Sequence, residues 1–124
     1  WLYAVHSIEY NDLDDYLMIF AIFDRSQHVW LSVKDVIEYS QLIGFQTVPF
    51  IKHNLFYKTE EDFKNGIVNI ARNTINKGHE GIVVRKSGYF NKYYGAVAKY
   101  VRESHVQTDE HWSNKPIKKQ GIKE

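Results

Sequence analysis

Residues 80–102, EGIVVRKSGYFNKYYGAVAKYVR, decide how this chain is read. Two runs rich in β-branched residues, Glu80 to Lys86 and Gly95 to Arg102, read as strands. The connection Ser87-Gly88-Tyr89-Phe90-Asn91-Lys92 has the glycine, serine and asparagine that turns favour. Each strand carries charge at its ends, with Glu80 and Arg85 on the first and Lys99 and Arg102 on the second.

Upstream, Thr59 reads as the cap of a helix, with Glu60, Glu61 and Asp62 at its positive end. Phe63, Ile67, Ile70, Ala71 and Ile75 recur at helical spacing, and Lys77-Gly78 closes the pattern. A second helix begins at Ser32, with Asp35 placed to complete a capping box. Its predicted apolar face is Val33, Val36, Ile37 and Ile43, and Gly44 ends it. Between the helices, Phe45 to Tyr57 contains Pro49 and reads as an edge strand or an extended segment.

Tyr16 to Asp24, YLMIFAIFD, is nearly continuous apolar sequence and predicts a strand buried on both faces. His28 to Leu31 reads as its short partner through Asp24-Arg25-Ser26-Gln27. Trp1 to Tyr10 reads as a further strand, and Asn11-Asp12-Leu13-Asp14-Asp15 as a turn. That acidic run lacks the central Gly and distal Glu of a calcium loop. The fold class is therefore α+β, antiparallel sheets with two helices.

Composition narrows the class of protein. The 124 residues suit one domain, and seven Phe, three Trp and nine Tyr are enough aromatics to close a core. Absence of cysteine removes disulfides, Cys-based metal sites and thiol nucleophiles. No apolar run approaches the roughly 18 residues of a membrane span, and no signal peptide or glycosylation sequon is visible, so a cytoplasmic location with no membrane partner is expected. The chain opens on Trp1-Leu2-Tyr3-Ala4-Val5 without an initiator methionine, so residue 1 is read as a cut point.

Net charge is only +1, yet it is divided unevenly. Residues 1–62 hold four basic and ten acidic side chains, whereas residues 63–124 hold twelve and five. A basic second half permits a polyanionic partner, though on charge alone solvated lysines on a helix and a tail are the favoured account. Residues 1–112 are read as one domain and 113–124 as a basic tail.

Three segments place charge at the end of an apolar strand: FAIFD at 20–24, EGIVVR at 80–85 and VAKYVR at 97–102. Buried isolated charge is costly, so such side chains tend to face a cleft. An aromatic, two carboxylates and cations converging on one cleft suit a nucleotide: the ring stacks on the base, cations pair with phosphate, and carboxylates hold a divalent metal. Taken singly, each residue has a plainer reading. Asp24 suits a turn cap, Glu80 a surface carboxylate, Phe23 the core, and Lys99 a snorkelling side chain.

In that order and at those separations, the segments resemble motifs IIIa, IV and V of the covalent nucleotidyltransferases, and among these the RNA ligases most. WLYAVHSIEY at 1–10 resembles the sequence after the motif III glutamate, and KYVRESHVQTDEHW at 99–112 resembles the region just past motif V in one RNA-ligase branch. The resemblance implies an ATP-grasp-like ligase domain with ATP, Mg2+ or Mn2+, and RNA ends as its ligands. It implies that Phe23, or alternatively Phe20, stacks on adenine, and that Asp24 orients neighbours or metal-bound water. It further implies that Glu80 binds the catalytic metal and Lys99 contacts the AMP phosphate. A second motif V lysine common in ligases is Val97 here; either Arg85 or Arg102 supplies the missing charge, or the pattern belongs to a branch that never used it.

Family members form a lysyl-adenylate on a Lys-x-Asp-Gly lysine, pass AMP to an RNA 5′-phosphate, and seal a 3′-hydroxyl. No lysine here is followed by x-Asp-Gly. The chain is thus read as the C-terminal part of an RNA-ligase adenylyltransferase domain, inactive alone, with self-association expected through exposed sheet edges. A DNA ligase or capping-type nucleotidyltransferase, and a non-catalytic nucleic-acid-binding module, are the alternatives. The six histidines lack helical metal spacing, and Trp112 reads as a packing anchor or an RNA-stacking ring.

Overall fold

The computed structural model describes residues 2–6, 8–52, 55–103 and 116–123. Its elements are β1 (Met18–Ile19), β2 (Phe23–Asp24), β3 (Val29–Trp30), α1 (Val33–Leu42), β4 (Gln46–Thr47), α2 (Glu60–Asn76), β5 (Gly81–Arg85) and β6 (Val97–Val101). The class is α+β, two helices with small sheets. His53, His105, His111 and Trp112, and the stretch past motif V from residue 104 to 115, lie outside the described residues.

Both helices begin where their caps predict. Ser32 Oγ accepts from Asp35 N at 3.1 Å, and Thr59 Oγ1 accepts from Asp62 N at 3.0 Å. Each cap satisfies one of the orphan amides of a first turn, worth about 1 kcal/mol. Both ends fall at glycines with positive φ, Gly44 at 77° and Gly78 at 91°, a conformation that penalises a Cβ. Val33, Val36 and Ser40 are the buried residues of α1, and Ser40 Oγ returns a bond to Val36 O at 2.6 Å. Ile43, expected on that face, is exposed because it already caps the helix.

The second helix packs on β5 and β6 and buries Ala71 completely. β5 and β6 pair antiparallel over five residues, with Gly81 opposite Val101, Val83 opposite Lys99 and Arg85 opposite Val97. β2 and β3 form a two-residue antiparallel ladder, Phe23 opposite Trp30.

Three expectations change. YLMIFAIFD is not one strand buried on both faces: it divides into β1 and β2, and Leu17, Phe20 and Phe23 stay exposed. Each piece finds only a two-residue partner, β4 for β1 and β3 for β2, so no ladder continues through Phe20–Ile22. β4 also runs parallel to β1, not antiparallel, because α1 lies in the connection between them and reverses the chain. No strand forms over residues 2–6 or 8–10, where Ala4 makes a single bridge to Lys119.

Residues 116–123 run along the N-terminal segment. Val5 N donates to Lys118 O, Gln120 N to Tyr3 O, Gly121 N to Tyr10 O and Lys123 N to Leu13 O. Gln120 is 4% exposed, and its amide accepts from Tyr10 N at 2.7 Å while donating to Ile8 O at 3.0 Å. Charge follows the same pairing, Lys118 to Glu9 at 2.5 Å and Lys123 to Asp14 at 2.8 Å. Lys119 Nζ sits 5.7 Å from the Tyr3 ring and 5.5 Å from Tyr16, within cation–π range.

Candidate functional site

Arg85 ends β5, and its guanidinium reaches across to the β1–β3 region. Nη2 donates to Leu31 O at 2.8 Å and Nη1 to Phe20 O at 3.3 Å. The same group lies 5.2 Å from the centroid of Phe90. Burial pulls the Arg85 pKa down, with Tyr93 opposing the shift. In the β5–β6 register Lys99 is the diagonal neighbour of Arg85, so pleating puts both cations on one face. Lys99 is exposed there, opposite Val83.

Glu80 precedes β5, and its carbonyl accepts from Arg102 N at 3.0 Å, one further step of the ladder. Strand alternation therefore carries Glu80 and Arg102 to the face opposite Lys99. Tyr10 lies near both: burial first, then Glu80, raises its pKa, and Arg102 lowers it. The Arg102 Nε is buried with no hydrogen-bond partner among the described residues.

Phe23 leans on Trp30, centroids 5.1 Å apart, and is 39% exposed, whereas Phe20 is 59% exposed. Asp24 closes the β2–β3 turn: its Oδ1 accepts from Ser26 N and Oγ, both at 2.7 Å, and from Gln27 N at 3.1 Å. The Ser26 hydroxyl bond, then the Gln27 and Ser26 amides, hold its pKa below the ordinary 3.8. The turn-cap reading of Asp24 thus has a full set of donors behind it.

The register sets Arg85 and Lys99 on one face of the hairpin, the Arg85 guanidinium meets the Phe20 carbonyl, and alternation carries Glu80 to the other face. Among the described residues, no three His, Asp or Glu side chains converge to hold a metal ion. Sequence reading missed the ring cluster under Arg85, in which Trp30 stacks on Phe90 at 6.4 Å and meets Tyr93 edge-on at 4.9 Å. It also missed the Tyr89 hydroxyl donating to Asp35 Oδ2, which lowers the Asp35 pKa and raises that of Tyr89. The turn residues around 87–92 were the available signal for a loop, but nothing local names its partners.

The RNA ligase family model matches residues 1–101, and the chain belongs to that family. No curated protein and no solved structure matches it.

Proposed function

We propose that this chain supplies the motif IIIa, IV and V side of an ATP-dependent RNA ligase's adenylate site. The observation carrying the reading is the shared face of Arg85 and Lys99, because two cations in diagonal register suit a pair of phosphate oxygens. Lys99 contacts the phosphate that becomes AMP and offsets charge as pyrophosphate leaves. Arg85 fills the place of the second motif V cation, Val97 being apolar. A base stacks on Phe23 or on the more exposed Phe20.

Magnesium or manganese enters with the nucleotide, since such ions are commonly held by one or two carboxylates together with substrate phosphates. Assigning Asp24 to that ion rests on the family resemblance, as does assigning Glu80, which strand alternation carries to the face opposite Lys99. The RNA ends, the repair role and the lysyl-adenylate route rest on it too, and no lysine of these 124 residues is followed by x-Asp-Gly. Self-association belongs to the same reading: among the described residues every sheet is two-stranded, so each leaves outer edges. A clean monomer in sedimentation at high concentration counts against it.

The test is an amide-resolved NMR titration with ATP and magnesium. Saturable shifts at Phe20, Phe23, Arg85 and Lys99, lost in Lys99→Ala, are expected. Dispersed peaks that ignore ATP would overturn the nucleotide reading for this chain.

A further inference from the structure

The β5–β6 connection, residues 86–95, displays aromatic rings and cations while its backbone is held in place. Ser87 O accepts from Val33 N at 2.9 Å, tying the loop to the first turn of α1. Phe90 and Trp30 exchange two backbone bonds, at 2.8 and 3.3 Å, and the Phe90 ring is 7% exposed. Asn91 Nδ2 donates to His28 O at 3.4 Å, and Tyr89 bonds Asp35. Four attachments to β3, its turn and α1 make this a fixed scaffold.

What the scaffold presents is unusual for a surface. Tyr94 is 97% exposed and Tyr89 60%. Lys86 and Lys92 flank these rings, are exposed, and make no ion pair among the described residues. An open cleft of about 470 Å³ lies between Lys86, Tyr89, Asn91, Lys92 and Tyr94. Rings displayed beside such cations match what single-stranded nucleic acid offers, a base face and a phosphate at each step.

We propose that residues 86–95 form a stacking platform for single-stranded RNA, with a base on Tyr94 and flanking phosphates on Lys86 and Lys92. The choice of RNA as the polyanion rests on the ligase reading, while the platform lies on the loop and not on the Arg85–Lys99 face. A protein partner with an acidic surface would need the cations but not the exposed ring face. Tyr94 carries that distinction.

The experiment is fluorescence anisotropy of the full chain with a short labelled oligouridylate, without ATP, over a salt series. Tyr94→Ala is expected to weaken binding roughly tenfold, as loss of one stacked base does, while Tyr94→Phe binds like wild type. Lys86→Ala and Lys92→Ala are each expected to flatten the log–log salt slope by about 0.7. An RNA duplex is expected to compete poorly. Equal binding by wild type and Tyr94→Ala, with unchanged circular dichroism, would overturn the platform, as would no binding of oligouridylate at low salt. RNA binding without ATP-induced NMR shifts upholds the platform and fails the nucleotide reading; the reverse pattern fails the platform alone.

Discussion

The Arg85 guanidinium donates to the carbonyl of Leu31 at 2.8 Å, joining two residues 54 positions apart in sequence. Leu31 is the last residue before the α1 cap and is 8% exposed. Its carbonyl lies beyond the two-residue β2–β3 ladder, and Arg85 satisfies it. One side chain therefore locks the hairpin to the β1–β3 region.

Replacing Arg85 tests both roles. Arg85→Ala removes the donors to Leu31 and Phe20, and is expected to destabilise the fold by about 1–3 kcal/mol, the range for hydrogen bonds to charged groups and stranded acceptors. Arg85→Lys keeps the charge but loses the planar fork, so it is expected to recover only part of that stability. Urea unfolding midpoints of the three proteins check this. Equal midpoints would show that Arg85 holds nothing together.

Gln120 closes the N-terminal segment with both ends of its amide. In Gln120→Ala the Tyr10 amide and the Ile8 carbonyl lose their partners, and roughly 1–3 kcal/mol is expected for each group left unsatisfied. Native-state hydrogen exchange should show Tyr10 N–H exchanging far faster in the variant. Unchanged protection there would mean that water or another group replaces the glutamine.

Gly81 opens β5 where the neighbouring strand is too close for a side chain. A Cβ at this position would collide with the Tyr100 carbonyl oxygen and stand 2.9 Å from Val101 Cα. Both obstacles are backbone, so Gly81→Ala must spread the start of the hairpin and move Glu80 with it. A loss of at least about 1–3 kcal/mol is expected, the cost of overpacking. The loss should appear as weakened exchange protection at Arg102 N, which donates to Glu80 O.

Acid should loosen the β2–β3 turn. The bonds from Ser26 and Gln27 favour ionised Asp24 and depress its folded pKa below 3.8. A depressed carboxyl contributes stability that is present above its unfolded pKa and lost as pH falls through the folded value. Asp24→Asn should therefore remove part of the stability difference between neutral pH and about pH 3. NMR titration of the Ser26 and Gln27 amides is the check, and a midpoint at or above 3.8 would contradict the turn geometry.

The helices were legible to within a residue or two because their signals are local. Ser32 and Thr59 accept from amides three positions on, and Gly44 and Gly78 supply the positive φ that stops each helix. The β5–β6 hairpin was legible too, since both strands and their connection are close neighbours in the chain. By contrast, the apolar run at 16–24 predicted more than it formed. Hydrophobicity measures what a segment tolerates, while a ladder also needs a partner of matching length, and β3 and β4 offer two residues each.

The sequence by itself determined the helix ends and the hairpin, encoded by residues close enough to act on one another before the chain folds, and the order of its motifs carried the family. Tertiary structure alone decided which residues share a site. It set Arg85 and Lys99 on one face and turned Glu80 to the opposite face, because register and pleat fix facing. It brought Gln120 to Tyr10 across 110 positions of chain. Contacts of that separation follow no period, and they exist only once packing of the whole chain offsets the entropy of closing so long a loop.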